Sequence, residues 1–207
     1  SNHYSVKMDE SIFSKVDDDE IVLCLNYDGL YGINNINKFL QNDNKSKFVK
    51  LGMDIYKVND RIIFKENERF GDLLYNNLKG KIIDIEDNGI SVKFYIEVEK
   101  AFNDLDVEDA NFKLEPSRTK GKSVVSFDVK KFANRDDDAQ DSLSIVPFQI
   151  AYAVSIHKAQ GLEYDSVKIV ITDEFEELIS HNVFYTAITR AKNNLKIYWT
   201  EKAQRYI

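Results

Sequence analysis

Phosphate chemistry is the first use these residues suggest. Lys120-Gly121-Lys122-Ser123 ends like the phosphate-binding loop G-x-x-x-x-G-K-[ST], in which backbone N–H groups cradle phosphates. The loop's first glycine would fall at position 116, where Pro116 stands, and strand-forming residues follow Ser123 where a helix should start. No other Gly-Lys-Ser or Gly-Lys-Thr occurs, so the chain does not supply the main phosphate cradle. Metal chemistry is excluded on spacing. His3, His157 and His181 form no ligand cluster, and Cys24 lies in the apolar run Ile21–Leu25 and reads as a small core residue. The richer chemistry lies in two stretches, Ala151–Asp165 and Phe184–Lys192. The first gathers Ser155, His157, Lys158, Gln160, Gly161 and Glu163; the second holds Thr186 and Arg190. Hydroxyl, imidazole and ammonium groups bind phosphate oxygens, an amide both donates and accepts, and a guanidinium is a permanently charged fork.

These residues need elements to hold them. Ile21–Leu25 is a continuous β-prone run of the kind buried on both faces of a parallel sheet. Asn26-Tyr27-Asp28-Gly29 breaks it, and Ile33, Ile36, Phe39 and Leu40 predict a helix over Ile33–Gln41. Strand, glycine-containing loop and helix open an α/β unit. From Phe48 the pattern changes to short alternating strands, with Asp87-Asn88-Gly89 a hairpin signal between Lys79–Ile85 and Ile90–Val98. Asn103–Ala110 reads as a surface loop or short helix, and Asn134–Asp141 as a solvated acidic connector. After Ser144 the α/β character returns: a buried strand at Val167–Thr172, a helix at His181–Ala191 and a closing strand at Leu195–Trp199. The stripe Phe184, Ile188, Ala191, Leu195 predicts that helix's core face. Arg190 would stand about 120° from it, with Thr186 beside it one turn earlier. Tyr152 and Tyr185 read as packing residues. The expected organisation is residues 1–53 and 144–207 as one α/β domain, with a β-rich insertion at 54–132 and an acidic linker at 133–143.

Bulk properties set outer limits. The 207 residues are 43% hydrophobic and 30% charged, enough for a real core. No run is long enough to span a membrane, and one cysteine rules out a disulfide framework, so a cytoplasmic protein fits best. Lys and Arg total 28 against 35 Asp and Glu, a net charge of −7 that argues against a uniformly basic nucleic-acid binder. The imbalance is uneven. Ser144–Ile207 has seven basic and seven acidic residues, and Lys113–Arg135 has seven basic against two acidic.

Together, Ala151–Asp165 and Phe184–Lys192 resemble motifs V and VI of superfamily 1 helicases, in the UvrD-like C-terminal domain. The Ala151-Tyr152-Ala153 opening and the His157-Lys158-Ala159-Gln160-Gly161 core are similar to the RecD-like branch. Tyr27–Asn34, through Asn37 and Gln41, stands where that family has motif IV, with Asp28 in place of an Arg or Thr that often contributes there. Val58–Ile63 and Asn77–Ile82 match the family's inserted region in outline. The resemblance implies an α/β fold: a RecA-like, P-loop NTPase-type parallel-sheet domain carrying a small SH3-like antiparallel β-barrel. It implies the second motor domain of an ATP-dependent DNA helicase or translocase, moving 5′→3′. ATP with Mg2+ would lie in a cleft shared with an N-terminal RecA-like domain of the same protein, which would hold most of the metal. The chain alone would then be inactive.

By the same resemblance, Arg190 would be the arginine finger on the γ-phosphate and Glu163 would bind the ribose. Gly161 would allow close backbone approach, and Gln160 would bridge the nucleotide cleft and the nucleic-acid track. Ser155, His157 and Lys158 would grip single-stranded DNA. Lys120, Lys122, Lys130 and Lys131 of the insertion would meet the backbone or the duplex fork, and read equally as a strand edge protected by lysines. Two other functions stay open: a non-catalytic nucleic-acid-binding or protein-interaction module on a helicase-derived fold, and an RNA helicase domain.

Overall fold

A computed structural model describes residues 4–6, 9–14, 19–66, 68–108, 110–131, 143–172 and 180–205. The acidic connector predicted at 134–141 lies outside them. Contacts divide the chain into two compact units, one from Ser1–Asp43 and Ala151–Ile207, the other from Asn44–Ile150.

The first unit is built on a parallel sheet of β1 (Tyr4–Val6), β2 (Glu20–Cys24), β11 (Ala153–Ser155), β12 (Tyr164–Ile171) and β13 (Ala191–Trp199). Their order is β1-β13-β12-β2-β11, with every pair parallel. Continuous apolar runs form β2 and β12 because both faces are covered, and all five residues of β2 are buried. Burial also pushes the Cys24 thiol pKa well up, which leaves it inert. Helix α1 (Ile33–Asn42) buries Ile33, Ile36 and Leu40. Gly32 precedes it, where any Cβ would sit 2.3 Å from the Asp28 carbonyl oxygen.

One buried ion pair interrupts the apolar sheet. Lys168 Nζ lies 2.8 Å from Glu20 Oε1, both side chains under a tenth exposed, and Lys168 also donates to the Ser14 carbonyl. An α1 side chain secures edge strand β11. Asn37 Oδ1 accepts from the Tyr152 and Ala153 N–H groups at 2.9 and 2.8 Å, and its Nδ2 donates to the Ala153 carbonyl at 2.9 Å. The amide thereby replaces a missing neighbouring strand.

Helix α2 (His181–Ile188) starts at Ser180, whose hydroxyl accepts from the Val183 N–H at 3.3 Å. It ends earlier than the sequence pattern indicates. Thr189 caps it, and Ala191 already belongs to β13, paired with Tyr164 of β12. The predicted stripe therefore runs from helix into strand, and only Phe184 and Ile188 of it are helical. Ala187 is the buried residue of α2, and Phe184 stacks on Trp199 with ring centroids 6.2 Å apart. Ala191 instead joins the β12 ladder.

The second unit contains β3 (Phe48–Leu51), β4 (Asp54–Lys57), β5 (Arg61–Phe64), β6 (Lys79–Asp87), β7 (Ser91–Val98), β8 (Lys113–Glu115), β9 (Ser123–Lys130) and β10 (Phe148–Ile150). Six form an antiparallel sheet in the order β10-β5-β6-β7-β9-β8, and β3 pairs with β4. Among the described residues no pair joins β10 to β8. The unit runs wider than 54–132 because β3 pairs with β4 and β10 pairs with β5. Its core is aromatic: Phe94 and Phe148 meet edge to face at 5.1 Å, and Tyr56 meets both rings in the same way at 5.7 and 5.5 Å. Asn88 and Gly89, the latter at φ +89°, turn β6 into β7 as the sequence predicts, and a short 3-10 helix spans Asp104–Val107.

Asn37→Ala leaves two backbone N–H groups at the β11 edge unpaired. A loss of about 1–3 kcal/mol is expected, read from the denaturant midpoint of the full-length protein.

Candidate functional site

The first cluster forms where β12 and β13 begin. Tyr164 pairs with Ala191, and its N–H donates to the Arg190 carbonyl at 2.9 Å, so Glu163 and Arg190 meet at the sheet's amino edge. Arg190 lies in the turn after α2 rather than on the helix. Its Nε donates to the Thr186 carbonyl at 2.9 Å, Nη1 to the Leu162 carbonyl at 3.2 Å and Nη2 to Thr189 Oγ1 at 3.0 Å. These bonds use three of the five guanidinium N–H groups and leave one on each terminal nitrogen. The remaining N–H groups can donate to the oxygens of an anion. Thr189's hydroxyl is itself held, bonding the Tyr185 and Thr186 carbonyls at 3.0 Å each.

Glu163 is exposed and pairs loosely with Lys192 at 3.6 Å. Such an exposed pair is worth little, so Glu163 can exchange it for another donor. Gly161 adopts φ +83° with open space beside it. A side chain there would be strained by the backbone conformation alone.

The second cluster lies at the opposite edge. β11 ends at Ser155, level with Cys24 of β2 and, through β2, with Val170 of β12. Tyr164 is therefore about 20 Å away along β12, at the usual strand rise. Residues 156–163 make that crossing. Ile156 and Ala159 are buried, whereas His157 and Gln160 are exposed and Lys158 is half-buried. Ser155 is buried, and its hydroxyl accepts from the Lys158 N–H at 3.3 Å, capping the turn. The structure thus places Glu163, Gly161 and Arg190 at the amino edge and Ser155, His157 and Lys158 at the carboxyl edge, with Gln160 on the link. Tyr152 is buried and packs, but Tyr185 is 66% exposed, so its expected packing role does not hold. At the motif IV position, Asp28 accepts from the Asn34 amide at 3.0 Å and stabilises its own loop.

The basic residues of the insertion belong to the second unit. Lys120 is exposed in a turn. Lys122 stands 3.6 Å from Glu97 and 3.9 Å from Glu99, and Lys131 lies 2.7 Å from Asp87. The Lys131 ammonium and the Gly89 N–H hold Asp87's carboxyl below the usual carboxylate range. Lys130 ends β9 and is half-buried. Lys122 and Lys131 are therefore matched by carboxylates across the strands. Among the described residues no group of three or more His, Cys, Asp or Glu side chains could hold a metal ion.

Thr189, Lys192 and the Leu162 carbonyl were not legible as partners. A backbone carbonyl has no residue signature, and Thr189 shows its role only once the chain turns after α2.

Comparisons with known proteins bear on the family resemblance. Residues 150–198 match the UvrD-like helicase C-terminal domain. The chain is 23% identical over 185 residues to the RecBCD enzyme subunit RecD of Buchnera aphidicola subsp. Acyrthosiphon pisum, covering 87% of this chain and 25% of that protein. It is 40% identical over 45 residues to the ATP-dependent RecD2 DNA helicase of Deinococcus radiodurans, 22% of this chain and 6% of that one. The chain thus spans a quarter or less of these relatives. Among solved structures, the Pif1 helicase of Candida albicans aligns with a TM-score of 0.49 at 15% identity, over 94% of this chain and 51% of that one.

If Lys122 braces Glu97 and Glu99, Lys122→Glu gathers three carboxylates and costs about 1 kcal/mol. Lys120→Glu should leave the denaturation midpoint unchanged.

Proposed function

We propose that this chain, which carries the C-terminal domain of a superfamily 1, UvrD-like helicase, is the second motor half of an ATP-dependent DNA helicase. In this reading it is a RecA-like domain with an SH3-like insertion. One observation carries the reading. The β12–β13 pairing brings the Arg190 guanidinium, which donates to the Leu162 carbonyl, to the same edge as the exposed Glu163 carboxylate, and a single short segment links both to a second polar cluster. The relatives' names, RecD subunit and ATP-dependent DNA helicase, support the same function.

The amino-edge donor set fits a nucleoside triphosphate. Arg190's two unspent N–H groups suit phosphate oxygens, Glu163 accepts from a ribose hydroxyl, and the open Gly161 backbone permits close approach. Bound ATP supplies the phosphoanhydride whose hydrolysis powers movement, and its Mg2+ is held mainly by the N-terminal RecA-like domain. Arg190 stabilises negative charge as it develops on the oxygens. Thr189 and the Leu162 carbonyl fix the fork in advance, so little reorganisation is needed. At the other edge, His157 and Lys158 contact the phosphates of a single DNA strand, with the Ser155 hydroxyl behind them. Movement of the 156–163 segment on nucleotide binding shifts the grip, and Gln160 is its relay.

In the full-length protein, Arg190→Ala should lower ATP turnover about a thousandfold while ATP binding changes only a few-fold. Normal turnover would remove Arg190 from this role. Thr189→Val should cost about tenfold in kcat, in keeping with one lost charge-assisted hydrogen bond, and Thr189→Ser should restore it. No further loss is expected when Thr189→Val is added to Arg190→Ala.

A further inference from the structure

We infer that the outward face of the β3–β4 hairpin is a contact surface for single-stranded DNA. The inference rests on the nucleic-acid reading above and adds a surface to it. The hairpin has two unlike faces. Val49 and Tyr56, paired across it, are both 5% exposed and join the aromatic core. The other face carries Phe48 opposite Lys57 and Lys50 opposite Ile55. Phe48 is 65% exposed and Ile55 41%, and Met53 at the tip, beside Gly52 at φ +61°, is 97% exposed. An outward strand face in water is ordinarily polar, so these apolar groups are not explained by folding.

Charge selects the occupant. Residues 45–57 hold four lysines (Lys45, Lys47, Lys50 and Lys57) and one acidic residue, Asp54, in a chain of net charge −7. Asp54 pairs with Leu51 and so shares the inward parity of Tyr56, whose hydroxyl pKa it helps burial to raise. The outward face thus has cations and apolar groups in a checkerboard, with no carboxylate among Phe48, Lys50, Ile55 and Lys57. Lys47 is braced by Asp84 at 3.1 Å and Lys57 by the Asn44 carbonyl at 2.8 Å, while Lys50 is exposed. Lysine is depleted at protein–protein interfaces. Alternating cations and exposed rings suit a strand that alternates phosphates with unpaired bases. The lysines of 113–131 are less suited, since Lys122 and Lys131 already face carboxylates.

The test uses the full-length protein with a fluorescent 15-mer oligo(dT) and an abasic strand of the same length and charge. Phe48→Ala should weaken oligo(dT) binding about tenfold, the scale of one lost base stack, and leave abasic binding unchanged. Phe48→Trp should retain oligo(dT) affinity. Lys50→Glu should reduce the slope of log affinity against log salt by about one. If wild type binds oligo(dT) and Phe48→Ala and Lys50→Glu bind it equally well, the hairpin is not the contact surface and instead serves a protein neighbour. If wild type binds neither strand, the nucleic-acid reading itself fails. Should Phe48→Ala unfold the protein, an unchanged salt slope in folded Lys50→Glu would still overturn the inference.

Discussion

The pairing of β12 with β13 is the constraint on which the first unit depends. β12 is hydrogen-bonded on both sides, to β2 and to β13, so its position along the sheet is over-determined. Both of its faces are buried, so its place is set by the two ladders together. The register that pairs Val167, Ile169 and Ile171 with β13 shifts by one residue between Ser166 and Tyr164, and that irregularity sets Tyr164 against Ala191. Everything chemical at the amino edge follows from that pair. Glu163 stands before one strand, Arg190 before the other, and the Leu162 carbonyl accepts from the guanidinium. The apolar core thereby positions polar groups that contribute little to stability themselves.

The same sheet separates two polar clusters by the length of a strand. One short segment, residues 156–163, joins the two clusters. The link is anchored by burial of Ile156 and Ala159 and exposes His157 and Gln160. Asn37 contributes from α1 by holding the strand that delivers the link. The buried Lys168–Glu20 pair between β12 and β2 is a more expensive device, since desolvation offsets much of its attraction.

Charge in this protein is a local matter. The net of −7 is a sum over the whole chain. Individual cations are placed where strands or turns need them, and several face carboxylates: Lys122 against Glu97 and Glu99, Lys131 against Asp87, Lys47 against Asp84. A count of lysines along the chain overstates the electropositive surface at Lys113–Arg135 and overlooks the hairpin, where fewer lysines share a face with exposed apolar groups.

Local pattern in the sequence determined most of the elements. The buried run Ile21–Leu25, the helical spacing of Ile33, Ile36 and Leu40, the Asn88-Gly89 turn and the β-prone Val167–Thr172 each reflect short-range sterics or two-sided burial. The residues of the helicase-like motifs were legible for the same reason, as types at fixed spacing. Tertiary structure alone decided where α2 stops, because a helix and a strand competed for Ala191 and the neighbouring β12 supplied the ladder. It also decided that Arg190 leans on Leu162, that Ser155 caps a turn, and that Phe48 and Lys50 share an open face. Those outcomes depend on which chain segment lies alongside, a long-range fact that no local spacing encodes.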